Sequence, residues 1–253
     1  MRLKILHKIV MSALCLGYLA TVPMLAQAQD TATDDRWKFK AAIYLWGAGI
    51  QGTTRRGNEI DVGFDDIWDN LDMAFMGAFE ARKSKWSLAA DVIYLDVSAD
   101  KAGTIGPSIP ANANVDITAW VVNLQGARNV LDAERASVDI LAGARYLDVD
   151  SKLTSSVGGA PLPTARQSAS VWDGVIGVKG NVNVTQKWYL PYYLDAGTGQ
   201  SDLTWQAAGG VGYRFNCCDI ILVYRHIYWD FKSDAPLKDI SFSGPALGGV
   251  FKF

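Results

Sequence analysis

The sequence predicts an all-β fold: a transmembrane, antiparallel, up-and-down β-barrel of about ten strands, with eight or twelve as the alternatives. Three observations predict it. A secretory signal opens the chain, apolar and polar side chains alternate with a period of two along about ten segments, and short connections alternate with long ones. Alternation of period two indicates strands whose two faces meet different surroundings.

The first 28 residues have the features of a secretory signal peptide. A basic start, MRLKILHK, precedes an apolar run and a small-x-small cleavage site at Ala26–Ala28. We therefore predict a signal peptide over 1–28, a short linker over 29–36 and a barrel over 37–253. A retained membrane helix is the weaker alternative, because it needs about 20 apolar residues and no cleavage site.

Composition excludes several classes of protein. Beyond the signal only Cys217 and Cys218 remain, too few for a small fold held by disulfides. The formal net charge of −2 argues against a nucleic-acid partner, which needs a clustered basic surface. Yet 49% of the residues are hydrophobic, and the charges lie singly among them, which favours strands over amphipathic helices.

Ten segments share the alternation, and most exceed the 9–11 residues that a tilted strand needs to cross a bilayer. They are 37–50, 71–82, 86–98, 115–131, 136–150, 167–184, 188–199, 203–215, 219–233 and 240–253. In the second segment Phe75 and Phe79 share one face, while Glu80 and Arg82 share the other. One face suits lipid and the other does not. Aromatic residues near the ends of the apolar face predict two interfacial girdles. These residues are Trp37, Trp86, Trp172, Trp188, Trp205 and Phe215.

The connections predict the orientation, because outer-membrane barrels have short periplasmic turns and longer outer loops. The short links are 83–85, 132–135, 185–187 and 216–219, and the long ones are 51–70, 99–114 and 151–166. An even number of strands then returns the C-terminus to the periplasm. A second interpretation extends the strands into 99–114 or 151–166, which leaves the strand count open by two.

The last strand ends in two outward aromatic residues, Phe251 and Phe253, with Lys252 facing inward between them. A terminal Phe with a second aromatic two residues earlier resembles the C-terminal signal that delivers bacterial barrels to the outer-membrane assembly machinery. We therefore expect that machinery and outer-membrane lipid as partners of a monomeric protein.

Four stretches resemble a family of small Gram-negative outer-membrane β-barrel proteins, grouped with opacity-type surface proteins. They are FDDIWDNLDMAFMGAFEARKSKWSLAADVIYLDVS, GARYLDVD, SDLTWQAAGGVGYRF and SFSGPALGGVFKF. The resemblance covers nearly the whole mature chain and implies architecture and an outer-membrane location, not a reaction. The chain departs from the family pattern at YRHIYWDF, where relatives carry a motif of the YRYLD kind, and at the turn NCCD.

Polar side chains of the second face predict a network inside the barrel. Because alternate residues of a strand face opposite sides, we assign the following residues to the inward side by their parity, that is, their even or odd position along the strand: Glu80, Arg82, Asp91, Asn123, Gln125, Asp139, Arg145, Asp173, Lys179, Arg214 and Arg225. This set suits either a polar pore for small solutes or a plug of salt bridges. Buried charges need partners, and a ten-stranded barrel is narrow, so the plug is favoured.

Three further features predict no catalytic, cofactor or metal site. The aspartates of 61–72 match no calcium loop, and Asp65, Asp66 and Asp69 fit a short helix that packs Ile67, Trp68 and Leu71 on the barrel mouth. Adjacent cysteines close only a strained ring, so an incidental pair is favoured over a redox pair. His226 faces outward between Tyr224 and Tyr228, which favours the aromatic belt over a catalytic triad.

The expected function is therefore that of a structural or surface-interaction barrel with a plugged lumen, and not that of an enzyme. A narrow channel for small solutes is the alternative. A barrel enzyme acting on lipid or peptide is the second alternative.

Overall fold

The structure, a computed structural model, describes residues 36–55, 57, 59–105, 109–235 and 237–253. The predicted signal peptide and nearly all of the predicted linker lie outside these ranges. Within them, no helix has the length and apolar character that crossing a membrane demands.

The described residues form thirteen strands and one helix. In chain order they are β1 (Trp37–Trp46), β2 (Gly49–Thr54), β3 (Glu59–Val62), α1 (Phe64–Asp69), β4 (Leu71–Lys83), β5 (Trp86–Ile105), β6 (Ile109–Asp132), β7 (Ala136–Val157), β8 (Ala160–Pro161), β9 (Ala165–Asn183), β10 (Trp188–Gly199), β11 (Ser201–Arg214), β12 (Asp219–Phe231) and β13 (Leu237–Lys252).

Ten of these strands close into an antiparallel barrel. Neighbours pair in the order β1-β4-β5-β6-β7-β9-β10-β11-β12-β13, and β13 pairs back onto β1 with Lys252 opposite Lys40 and Ala246 opposite Trp46. Each barrel strand therefore lies beside the next one along the chain, as in an up-and-down barrel. Closure pairs the two strands that would otherwise be sheet edges. The predicted all-β, ten-stranded antiparallel barrel is confirmed.

Two of the predicted long loops are extended hairpins. β5 and β6 stay paired as far as Ile105 opposite Ile109, so 99–114 is almost entirely strand. β7 continues to Val157, and β8 and the start of β9 pair with it, so most of 151–166 is strand. The loop prediction was wrong here, and the alternative of longer strands is confirmed without a change in strand number. Pairing supplies the hydrogen bonds that backbone groups require.

The connection 51–70 is also structured. The predicted first strand, 37–50, is broken at Gly47, after which β2 continues the pairing with β13 and forms a hairpin with β3. A Cβ atom at Gly47 would lie 3.3 Å from the ring of Phe64. A larger residue at this break would therefore displace the start of α1.

An apolar band surrounds the outside of the barrel. On β5 it runs from Trp86 and Leu88, which are 63% and 66% exposed, up to Tyr94. The Tyr94 hydroxyl donates to Asp96, which begins a polar rim. Eight residue steps give a band roughly 20 Å tall, for a rise of ~3.3 Å per residue and a tilt of ~40°. Such a height suits the hydrocarbon core that barrels span.

Aromatic rings mark both edges of the band. At the edge nearest the short turns, Lys83 lies 6.0 Å from the ring of Trp37, and Arg128 lies 5.5 Å from that of Trp86. At the opposite edge, Tyr94 and Trp120 have centroids 4.6 Å apart. We call the short-turn end, which holds the C-terminus, the lower end, and the hairpin end the upper end.

Candidate functional site

Charged residues at the lower end of the lumen pair with one another. Glu80 accepts hydrogen bonds from Lys179 at 2.6 Å and from Lys40 at 3.4 Å. Arg82 forms a salt bridge with Asp139 and contacts Glu80 at 3.4 Å. Lys40, Lys179 and Arg82 surround Glu80, whereas Arg82 and the Asn129 amide surround Asp139, and these contacts offset the cost of removing the charges from water. Four of the predicted lumen residues thus come together in this lower ion group.

Arg214 belongs to a separate group at the same end. Its guanidinium donates to Asn183 at 2.7 Å and lies 4.4 Å from the ring of Tyr189. The Tyr189 hydroxyl in turn donates to Asp219 at 3.0 Å, and Lys252 donates to the same carboxylate at 2.6 Å. The sequence prediction did not name Asp219, which it placed both in the turn 216–219 and at the start of the segment 219–233. The alternation that assigns Arg225 inward also puts Asp219 on the inward face.

Arg145 lies at mid-height, and its side chain is fully buried. Its guanidinium donates to Asp195 at 2.5 Å, Asn123 at 2.7 Å, Thr204 at 3.0 Å and Gln206 at 3.1 Å. The acceptors come from strands β6, β10 and β11, so this one side chain spans much of the lumen. Asp195, Thr204 and Gln206 were not predicted as site residues, although parity places all three inward.

A second arginine joins the same layer. Arg225 donates to Asp91 at 2.6 Å, to the Tyr44 hydroxyl at 3.1 Å and to Gln206 at 3.2 Å. Tyr44 donates to Asp91. Because Gln206 accepts from both arginines, the two clusters form one central network. The Tyr193 hydroxyl also donates to Asp195, so the members are Tyr44, Asp91, Asn123, Arg145, Tyr193, Asp195, Thr204, Gln206 and Arg225.

The lumen above the central network is apolar, which corrects the expectation of a polar interior throughout. This upper apolar core consists of Trp46, Met76, Ile93, Val121, Leu147, Ile227, Trp229, Phe231, Ile240, Phe242 and Ala246. Trp229 is 0% exposed and lies 5.8 Å from the guanidinium carbon of Arg145. Trp46 lies 5.1 Å from that of Arg225. Aromatic faces attract cations, so the two tryptophans cover the network from above.

Asp173 is the predicted lumen residue with the poorest partners. It is 2% exposed and lies opposite Arg145 in the pairing of β7 with β9. Its Oδ1 accepts the backbone N–H of Ser201 at 2.8 Å, while Oδ2 has no hydrogen-bond partner among the described residues. A buried carboxylate without a cation costs stability.

A cavity of about 230 Å³ adjoins the lower side of the central network. Its lining includes Gln125, another of the inward residues predicted from parity. The lining residues are Ala42, Tyr44, Ala78, Asp91, Asn123, Gln125, Tyr193, Gln206, Ala208, Ile221, Val223, Arg225, Ala246 and Gly248. Within the described ranges, no cluster of three or more His, Cys, Asp or Glu side chains is placed to hold a metal ion.

The C-terminal residues lie on the outer face at the lower end. Phe251 and Phe253 are 46% and 68% exposed. The backbone of Phe253 exchanges hydrogen bonds with that of Phe39, at 2.8 and 3.1 Å, and their ring centroids are 6.0 Å apart. The predicted assembly signal is thus presented on the outside of the closed barrel, beside its first strand.

The turn between β11 and β12 holds two free thiols, Cys217 and Cys218, whose Sγ atoms are 3.1 Å apart. The hydrogen bond with Cys217 raises the pKa of the Cys218 thiol. A raised pKa lowers the thiolate fraction and therefore the reactivity.

His226 faces outward, with its ring centroid 4.6 Å from that of Trp205. The helix predicted in the acidic segment is present as α1, with Ile67 6% exposed and Trp68 54% exposed. Of the apolar residues predicted to pack on the barrel mouth, Ile67 is buried, Leu71 is half-buried at the start of β4, and Trp68 is exposed.

No protein-family model matches the chain, and no curated protein sequence matches it. Among solved structures, the translocator domain of the autotransporter NalP from Neisseria meningitidis is similar, with 13% identity, 86% of this chain and 88% of that chain covered, and a TM-score of 0.49. The attachment invasion locus protein Ail of Yersinia pestis covers 86% and 98% at 12% identity with a TM-score of 0.36. Neisserial surface protein A covers 86% and 97% at 13% identity with a TM-score of 0.33. Similarities at this level carry no argument about function, and the fold assignment rests on the closed strand pairing.

Proposed function

We propose that this protein is an outer-membrane barrel whose lumen is closed and which acts through its surface, in a structural or interaction role. The observation that supports a closed lumen is the pair of stacked layers at mid-height. Arg145 belongs to the central network, and Trp229 belongs to the upper apolar core above it. Both side chains are fully buried. Water and ions that entered from either end would meet a layer of packed side chains.

The outer face supports the membrane location. A soluble protein rarely exposes a continuous apolar surface around its perimeter. Here Ile43, Leu88, Ile140 and Ile176 are all between 54% and 71% exposed, and they lie on strands around the barrel. Exposing such a surface costs less free energy in hydrocarbon than in water.

Charge at the two ends supports an orientation with the C-terminus in the periplasm. The lower edge presents Lys83, Arg128 and Lys187 beside aromatic rings, where cations can meet the phosphates of an anionic leaflet. The outward positions of the upper rim are acidic at Asp96 and Asp148. We also propose that the C-terminal aromatic signal directs assembly of the barrel and that the barrel is a monomer.

The surface role rests on the long hairpins. β5 continues from Asp96 at the rim to Ile105, which is about 30 Å of strand at ~3.3 Å per residue. β7 and β9 extend beyond the rim in the same way. Paired strands of this length give the hairpins a regular backbone beyond the rim, and a fixed backbone favours recognition.

Conductance across a planar bilayer tests the proposal. The wild-type barrel should give no steady open current. The double variant Arg145→Ala/Asp195→Ala removes both charges of the buried pair together and should give brief openings. The matched control Ile140→Ala, on the outer face, should behave as wild type. A steady ohmic current through the wild-type protein would contradict the proposal.

A steady current would instead favour the narrow channel, for which the cavity of about 230 Å³ below the network is the supporting observation. The proposal that the protein is not an enzyme is tested with His226→Ala. Turnover of lipid or peptide by the wild type that disappears in this variant would contradict it.

A further inference from the structure

The barrel wall is interrupted in its upper half between β1 and β4. The ladder between these strands ends at Ile43 opposite Gly77. Higher on β1, the Trp46 backbone N–H donates to the Sδ atom of Met76 at 3.2 Å, where a regular ladder would supply a carbonyl. A thioether is a weak acceptor. This β1–β4 seam is therefore a weak point of the closed sheet.

Helix α1 fills the seam. Its residue Ile67 is 6% exposed and lines the lumen side, whereas Phe64 and Trp68 are 39% and 54% exposed and have rings 5.7 Å apart. The Phe64 ring packs on Gly47, at the break between β1 and β2. The helix thus separates the lumen from the apolar outer face.

The helix is held mainly by this packing. It has six residues. Its N-cap residue is Gly63, which has no side chain to cap the first turn, and its last turn has no basic residue. The backbone hydrogen bonds at its ends, Ile67 N–H to Gly63 and Asn70 N–H to Ile67, measure 3.2 and 3.3 Å. A helix this short is unstable by itself. Its position therefore depends on the packing of Phe64 and Ile67.

Two apolar cavities meet at Ile67. The outer one, of about 50 Å³, is lined by Leu45, Trp46, Gly47, Phe64, Ile67, Trp68, Leu71, Ala74, Met76 and Leu95. The inner one, of about 30 Å³, is lined by Trp46, Ala48, Ile50, Ile67, Met76, Ile93, Leu95, Ala119, Val121 and Phe242. Four residues line both cavities, and neither lining includes a polar or charged side chain. The two cavities are apolar but too small to form an open passage, so a path from the outer face into the upper core requires the Ile67 side chain to move aside.

We propose that the β1–β4 seam binds the acyl chain of a zwitterionic or uncharged bilayer lipid, which enters the upper lumen beneath α1. This inference rests on the proposed membrane location. Leu45 and Phe75, 61% and 57% exposed, flank the seam and continue the lipid-facing band. A chain of the bilayer is therefore the molecule that reaches it.

The surroundings define what can bind. Asp65 and Asp69 are exposed on α1, so an anionic headgroup at the seam would be repelled. Below, Trp46 over Arg225 closes the passage at the central network. The chain therefore ends among Val121 and Phe242 and does not reach the lower cavity.

Photo-cross-linking tests the site. The full barrel is placed in phosphatidylcholine vesicles that contain a phosphatidylcholine with a diazirine at the end of one acyl chain. After irradiation, adducts are assigned to single residues by tandem mass spectrometry. We expect adducts on the inward residues Val121 and Phe242 as well as on the outward residues Leu88 and Ile176. Adducts on the outward residues alone would overturn the seam site and leave the membrane location standing. Absence of both would overturn both proposals.

Variants with opposite expected effects accompany the wild type. Ala74→Phe fills the outer cavity and should reduce the inward adducts several-fold, while Ile67→Ala removes the barrier and should raise them several-fold. Ala142→Phe, on the outer face of β7, is the matched control and should leave them unchanged. The heat-dependent gel shift establishes that each variant is folded. Inward adducts that do not respond to Ala74→Phe or to Ile67→Ala in folded protein would overturn entry through the seam.

Discussion

Arg145 on β7 reaches Asp195 on β10, passing the neighbouring strand β9, and the two side chains meet at 2.5 Å with neither exposed to solvent. Coulomb attraction is strong at such a depth, but each ion also loses its hydration. The pair is therefore stable as a unit, and the loss of either member leaves a charge without compensation.

The first prediction concerns removal of one partner. Asp195→Ala should lower the free energy of unfolding by about 3–5 kcal/mol, because the Arg145 guanidinium stays buried without its carboxylate. Urea titration of the barrel in lipid vesicles measures this change. The double variant Arg145→Ala/Asp195→Ala should lose less than the single variant. A double variant that is clearly less stable than Asp195→Ala would contradict the pairing.

Asp173→Asn should have the opposite effect. The amide oxygen can still accept the Ser201 N–H, while the variant removes a buried charge whose Oδ2 has no partner among the described residues. We therefore expect stability equal to or above that of the wild type, measured by the same titration. A loss comparable to that of Asp195→Ala would mean that the Asp173 charge is compensated in the folded barrel.

A charge placed on the outer face tests membrane depth. Ile176 is 71% exposed in the middle of the band. Ile176→Lys should cost about 2–4 kcal/mol in vesicles, whereas Val184→Lys, near the lower turn, should cost no more than about 1 kcal/mol. Equal small costs at both positions would show that water, not lipid, surrounds the barrel.

Labelling of the two natural cysteines tests the orientation of the barrel in the membrane. Cys217 is exposed in a lower turn, so a maleimide on a large polymer should label it in disrupted cells but not in intact cells. In a Cys217→Ser/Cys218→Ser background, Leu162→Cys in the upper hairpin region should be labelled in both. Labelling of Cys217 in intact cells would reverse the orientation.

Phe253→Ala separates assembly from stability. If the terminal ring is a recognition signal, the variant should yield less folded barrel in cells but fold normally from urea into vesicles. The heat-dependent gel shift measures the folded fraction in both settings. Equal losses in the two settings would assign Phe253 only to packing against Phe39.

The period-two pattern predicted a set of inward side chains. Arg145, Asp139 and Arg225 were assigned to the lumen by parity, and the structure describes each as buried there. The pattern did not predict which residues pair across the barrel, such as Asp195 with Arg145. The height at which two inward residues meet depends on the shear with which the sheet closes, a property that no single strand contains.

The sequence by itself therefore predicted an all-β barrel, the alternation of inward and outward side chains and the short turns, because each follows from local periodicity and turn composition, but it left the strand number open between eight and twelve. Only the tertiary structure decided that Trp46 and Trp229 cover the arginines, that Asp173 has no cation partner in the described part of the chain, and that the β1–β4 ladder ends at Ile43. These features arise from contacts between residues far apart in the chain, whose positions are fixed only when the barrel closes.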